Sequence, residues 1–204
     1  MRTTFLAALA VLAAASAAQA QVPDHGVGLG VSLNPAAIVA EGAEGTLLLP
    51  AGFGNIYLPI IAGPHLKFEP EFGIWRTSSS SSFAGSSSSS SSTLLRVGAG
   101  LFRFVRVGGG TALYVGPRVV MIRESSSTSF TGSPGSSSHQ TNWSFGLAIG
   151  GEHFFSPHFS LGGEVQLNYI SVGTEEQTPP PTFQPSASSS IITNNGLIFI
   201  RLYR

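Results

Sequence analysis

Residues 143–172, WSFGLAIGGEHFFSPHFSLGGEVQLNYISV, constrain this chain more than any other stretch, because they alternate at period two through two long runs. In the first run Trp143, Phe145, Leu147 and Ile149 alternate with Ser144, Gly146, Ala148 and Gly150. In the second, Phe159, Leu161, Val165, Leu167 and Tyr169 alternate with Ser160, Gly162, Glu164, Gln166 and Asn168. Successive side chains of a strand point to opposite faces, so each run has an apolar, aromatic face and a small, polar or charged one. Between them, Phe154-Phe155-Ser156-Pro157-His158 reads as a tight turn. Soluble strands alternate too, but they average five or six residues and turn the charged face to water. A barrel strand needs about 9–11 residues to cross a bilayer, and both runs are long enough. The pattern therefore predicts lipid against the apolar face and a polar interior.

The same alternation recurs along the chain. Residues 24–34 set Val27, Leu29, Val31 and Leu33 against Gly28, Gly30 and Ser32. Residues 54–62 form a second strand, in which Pro59 removes a ladder donor, as Pro70 does in the third; both predict bulges. That third strand, 65–76, turns Leu66, Phe68, Phe72 and Ile74 outward and Lys67, Glu69 and Glu71 inward. Residues 93–105 turn Leu95, Val97, Ala99 and Leu101 outward, with Arg96, Gly98 and Gly100 inward. Residues 111–123 do the same with Leu113, Val115, Val119 and Met121 against Tyr114, Gly116 and Arg118. The 143–172 hairpin and residues 196–204 bring the number of strands to eight.

Connection lengths alternate as strictly as the side chains. Residues 35–53, 77–92, 124–141 and 173–195 are long; Gly63-Pro64, Val107-Gly108-Gly109-Gly110 and Ser156-Pro157 are short. Residues 35–53 are a mixed segment, 124–141 are rich in Ser, Thr and Gly, and 173–195 in Pro and Ser. Residues 77–92 are nearly all serine, a composition that buries no core and reads as a solvated spacer. Short periplasmic turns and long outer loops are the asymmetry of outer-membrane barrels. An even strand number places all four long segments on the outer side.

The hairpin GGEHFFSPHFSLGGE at 150–164 and the amphipathic end GLIFIRLYR at 196–204 carry a resemblance to the small outer-membrane β-barrels, the eight-stranded OmpA/OmpX-like proteins. The resemblance spans residues 21–204. It implies an all-β, antiparallel, up-and-down transmembrane barrel in the bacterial outer membrane, in contact with outer-membrane lipids and inserted by the barrel-assembly machinery. Relatives usually end in an aromatic residue that this machinery reads; here Tyr203 is penultimate and Arg204 last. The family's functions are diverse, so the resemblance implies a location more than an activity.

The N-terminus agrees with export. Arg2, the apolar run 5–18 and the small-x-small Ala18-Gln19-Ala20 read as a signal peptide over 1–20, leaving a barrel domain over 21–204. No cysteine is present, which excludes disulfides, thiolate metal sites and a lipid-anchored cysteine. Ten Lys and Arg against ten Asp and Glu leave no basic field for nucleic acid.

Eight charged residues fall on the polar face: Lys67, Glu69, Glu71, Arg96, Arg118, Glu152, Glu164 and Arg201. Folding the hairpins about their turns sets Glu71 near Gly98, Gly98 near Arg118, and Arg118 near Ala148, a neighbour of Glu164. Buried charges must be paired, so these residues are expected to form an interior ion-pair network. Inward glycines (Gly98, Gly100, Gly116, Gly146, Gly150 and Gly162) allow a hydrated conduit instead, although eight strands enclose only enough room for side chains. His158-x-Ser160 with Glu164 resembles the nucleophile set of an eight-stranded lipid A deacylase, but it lies beside a periplasmic turn, the wrong leaflet for lipid A. No catalytic residue is assigned. The five histidines lack metal-ligand spacing, and Gly28-x-Gly30 opens no helix that could cradle a phosphate, so no metal or cofactor is expected. Trp143 and Tyr169 fit an interfacial aromatic belt. The function expected is a non-enzymatic outer-membrane barrel with a structural or surface-interacting role and an unspecified surface ligand. A narrow porin-like channel is the alternative, ahead of a lipid-modifying enzyme or a soluble periplasmic ligand-binding barrel.

Overall fold

A computed structural model describes residues 22–34, 38–42, 45–49, 52–83, 85–179 and 189–204. The leader expected at 1–20 lies outside them, as do parts of the first and last long connections. The described strands are β1 (His25–Asn34), β2 (Ile38–Gly42), β3 (Gly45–Leu49), β4 (Gly52–Tyr57), β5 (Ile60–Ala62), β6 (Leu66–Phe83), β7 (Ser86–Gly108), β8 (Thr111–Phe130), β9 (Ser133–Ser156), β10 (Phe159–Val172), β11 (Glu176–Thr178) and β12 (Ser189–Tyr203).

Eight staves close into an antiparallel ring: β1 pairs β4 and β5, these pair β6, then β7, β8, β9, β10 and β12 follow in turn, and β12 returns to β1. β4 and β5 are one stave interrupted at Leu58-Pro59, because Tyr57 opposite Glu71 and Ile60 opposite Phe68 keep a single register across the gap. Neither proline makes the expected bulge, since β6 and β7 keep one register through Pro70 opposite Ala99 and the β4/β5 stave keeps its own across Pro59. The prolines cost ladder donors, but their carbonyls stay in use. Leu58 N donates to Pro70 O at 3.0 Å, and Gly28 N donates to Pro59 O at 2.7 Å. The short connection at Gly108-Gly109-Gly110 turns with φ of +92°, +59° and +73°, a left-handed run that glycine alone enters readily.

The two faces separate as the alternation predicts. Leu147 and Ile149 expose 56% and 61% of their surface on the outside, whereas Arg118 and Glu164 expose 2% and 3% inside. On β6 the outward apolar residues Leu66, Phe68, Phe72 and Ile74 end at Arg76, and Arg103 of β7 stands opposite Leu66. At barrel tilt, this stretch rises roughly 25 Å, the height of an outer-membrane apolar band. Arg103 and Arg76 thus bracket the bilayer.

The serine tracts depart from the expectation of solvated spacers. They continue the barrel strands as paired ribbons: β6 and β7 stay in register from Thr77 opposite Ser92 to Phe83 opposite Ser86, and β8 and β9 do so up to Thr128 opposite Ser136, with a shift before Phe130 opposite Ser133. Serine hydroxyls bridge the strands, with Ser79 to Ser90 at 2.8 Å, Ser81 to Ser88 at 2.8 Å and Ser91 to Ser127 at 2.9 Å. Serine composition alone disfavours a strand. Here the barrel below has already aligned the chains, so each added pair of residues closes ladder bonds without a new loop-closure cost.

Candidate functional site

The interior is where charge and burial coincide. The inward alternation of β6 brings Lys67, Glu69 and Glu71 into the lumen; β7 adds Arg96, β8 Arg118, β9 Glu152, β10 Glu164 and β12 Arg201. All eight are buried, four cations against four carboxylates. They form one connected network. Arg118 lies at its centre, with Nη2 2.9 Å from Glu69 and 3.0 Å from Glu164, and Nη1 bonded to Glu71. Arg96 Nε meets Glu71 at 2.6 Å. Arg201 joins Glu69 and, at 2.7 Å, Glu152.

Lys67 completes the set. Its Nζ has no hydrogen-bond partner among the described residues, yet it lies 3.6 Å from Glu69, 3.7 Å from Glu152 and 3.3 Å from the ring centroid of Tyr114. A cation over an aromatic face is attracted by the ring quadrupole, and more strongly when desolvated. Neutral donors occupy further carboxylate lone pairs: Tyr114 Oη donates to Glu164 at 2.9 Å, Tyr203 Oη to Glu152 at 2.6 Å and Gln166 Nε2 to Glu164 at 2.5 Å.

Sequence reasoning missed the aromatic half of this interior. Phe102, Phe104, Phe154, Phe199 and Tyr203 are buried inside. Their parity along each strand was the available signal; their apolar character argued for the lipid face instead. The rings fill the space that the inward glycines leave. Phe102 occupies the place a side chain would take at Gly100, Tyr114 that at Gly150, and Phe199 that at Gly162. Asn168 does so at Gly146, and Val120 and the β8 backbone at Gly98. At Gly116 the β7 backbone itself closes in. At the short-turn end Val22 packs on the aromatic cluster, and Arg106 holds Asp24 at 2.7 Å and the Pro23 carbonyl at 2.9 Å.

The inferred neighbours are corrected by two residues in three places. Glu71 does stand opposite Gly98, but Arg118 stands opposite Gly100 and Gly146, and Glu164 opposite Gly150. Bulges beside two short turns, between Arg106 and Gly108 and between Phe159 and Ser160, shift the pairing there. The His158, Ser160 and Glu164 set does not assemble. Ser160 Oγ donates to Glu152 at 2.5 Å, while His158 Nδ1 lies 3.1 Å from the Tyr203 carbonyl.

A closed ring of eight long antiparallel staves, apolar outside and polar within, defines an integral outer-membrane β-barrel. Residues 5–188 match the outer membrane protein beta-barrel domain, and the chain belongs to that family. No curated protein matches it. Among solved structures it is similar to Ail, the attachment invasion locus protein of Yersinia pestis, in complex with the heparin analogue sucrose octasulfate. That likeness has 14% identity, 90% of this chain and 99% of that one covered, and a TM-score of 0.51. A major outer membrane protein from Thermus thermophilus has 10% identity, 89% and 100% coverage and a TM-score of 0.48. CarO2 of Acinetobacter baumannii has 12% identity, 88% and 98% coverage and a TM-score of 0.40. At 14% identity the likeness to Ail is one of fold. The protein sits in the bacterial outer membrane.

Proposed function

We propose that this protein is a non-conducting, non-enzymatic outer-membrane scaffold that holds long hydroxyl-rich hairpins above the cell surface. The interior carries this reading. Four cations are matched to four carboxylates, and aromatic rings take the glycine gaps a water file would use. Lys67, Glu69, Glu71, Arg96, Arg118, Glu152, Glu164 and Arg201 then act as a structural plug, not as a permeation path. A buried, balanced network of this kind gives the ring one preferred register, because a slip of two residues would strand charges away from partners. The long hairpins face the exterior and the short turns the periplasm, in contact with outer-membrane lipids on the way and with the assembly machinery during insertion. Ail, which shares the fold, was solved with a sulfated sugar, a surface ligand of the kind a display role calls for.

Planar-bilayer recording of the folded full-length protein tests the plug. The expected trace is flat at physiological salt. Regular conductance steps that vanish on heat denaturation would replace the scaffold with the narrow porin-like channel.

A further inference from the structure

The geometry points to a binding site for the phosphorylated sugar headgroup of a glycolipid, on the outward face of the serine sheet where it leaves the membrane. This inference rests on the reading that the long hairpins face outside.

Strand pairing builds the site row by row. Arg76, Thr93, Ser125, His139 and Glu176 stand side by side across β6, β7, β8, β9 and β11, on the face continuous with the lipid-facing band. One step toward the membrane, the row is Ile74, Leu95, Arg123 and Thr141. Above, the rows turn wholly to hydroxyls: Ser78, Ser91, Ser127, Ser137 and Thr178, then Ser80, Ser89 and Ser129. A cavity of about 580 Å³ lies over these rows, with Arg76 as its only charged lining residue among the described residues, and a second of about 390 Å³ continues it toward the hairpin tips.

The chemistry of the trough selects its occupant. Residues 77–92 and 125–138 contain no charged side chain, so the trough offers hydroxyl donors and acceptors to a sugar. Its foot offers two guanidinium groups, Arg76 and Arg123, both exposed and, among the described residues, without an ion-pair partner. Their Cα atoms stand roughly 12 Å apart by strand spacing and rise, close enough for both long side chains to reach one headgroup. Arginine suits phosphate oxygens through its fork of donors. Because the trough opens at the edge of the apolar band and on the lipid side of the wall, a lipid beside the barrel enters it without leaving the leaflet.

The chain has no cysteine, so single ones can be placed. Ser89→Cys puts a thiol in the trough, and Ser90→Cys puts one on the opposite face of the same strand. Each full-length variant is folded into vesicles of phosphatidylethanolamine and phosphatidylglycerol, with or without lipopolysaccharide, and its reaction with a bulky maleimide is timed. Lipopolysaccharide should slow the reaction at position 89 and leave position 90 unchanged. Arg76→Ala with Arg123→Ala should weaken that protection about tenfold or more in lipopolysaccharide concentration, the scale of losing charge-assisted bonds; Arg76→Lys with Arg123→Lys should retain part of it. Equal slowing at both positions, or none at position 89, overturns the site. Protection by the delipidated saccharide at the same concentration overturns its lipid-anchored source. Orientation is read separately from Ser88→Cys and Ser156→Cys on intact cells with an impermeant reagent. Labelling at 156 alone would bring down the outward reading and the site with it. Labelling at 88, with no protection at 89, would remove only the glycolipid site.

Discussion

The barrel interior and the serine sheet above it are built from the same strands and held by opposite means. Inside, the long charged side chains have specific partners: Arg118 reaches Glu69, Glu71 and Glu164, and Tyr203 and Arg201 share Glu152. Outside, serine meets serine, as in Ser79 with Ser90, Ser89 with Ser129 and Ser126 with Ser138, and each such bond would survive a slip by two residues. The interior therefore dictates a register, and the sheet inherits one. Loss of a partner in the first region leaves a charge stranded in the barrel interior. Loss in the second leaves a hydroxyl for water to satisfy.

That contrast ranks the expected effects of substitution. The largest belongs to Arg118→Ala, which uncouples three carboxylates at once; breaking a buried pair costs about 3–5 kcal/mol. Urea unfolding of the barrel in lipid vesicles measures it. A loss below about 1 kcal/mol, the scale of an exposed pair, would mean that water already screens the lumen and that the two regions differ less than their burial implies. Next comes the lipid face. Leu147→Arg, near the middle of the apolar band, should cost about 2–4 kcal/mol in the same assay. A neutral result there would place Leu147 outside the band and redraw the bilayer boundary taken from Arg76 and Arg103. The smallest effect is in the sheet. Ser79→Ala removes the bridge to Ser90 and should change stability by no more than about 0.5 kcal/mol. Should Ser79→Ala approach the cost of Leu147→Arg, the serine ribbons would be supporting the barrel instead of being templated by it.

Much of the transmembrane part was legible in the chain. The period-two runs assign Trp143, Leu147, Val165 and Leu167 to lipid and Lys67, Glu69 and Arg118 to the interior, because a strand offers only two faces. The Leu58-Pro59 interruption could also be anticipated, since proline cannot donate to a ladder. Partner choice within the interior could not. Arg118 is set opposite Gly100 and Gly146 by bulges and hairpin lengths that a turn-centred count does not resolve. Phe102 and Phe199 belong inside by parity, but only the gaps at Gly100 and Gly162 explain why rings are needed there.

By itself, then, the sequence determined an exported, eight-staved barrel and which side chains face lipid, because alternation and connection length are local properties of the chain. Tertiary structure alone decided the ion-pair partners, the aromatic filling and the strand pairing of 77–92 and 125–138. The physical reason is that these depend on what is brought alongside. Arg118 finds three carboxylates only after β6, β8 and β10 close around one lumen, and serine residues with little tendency to extend do so because the strands beneath them already lie a ladder's width apart.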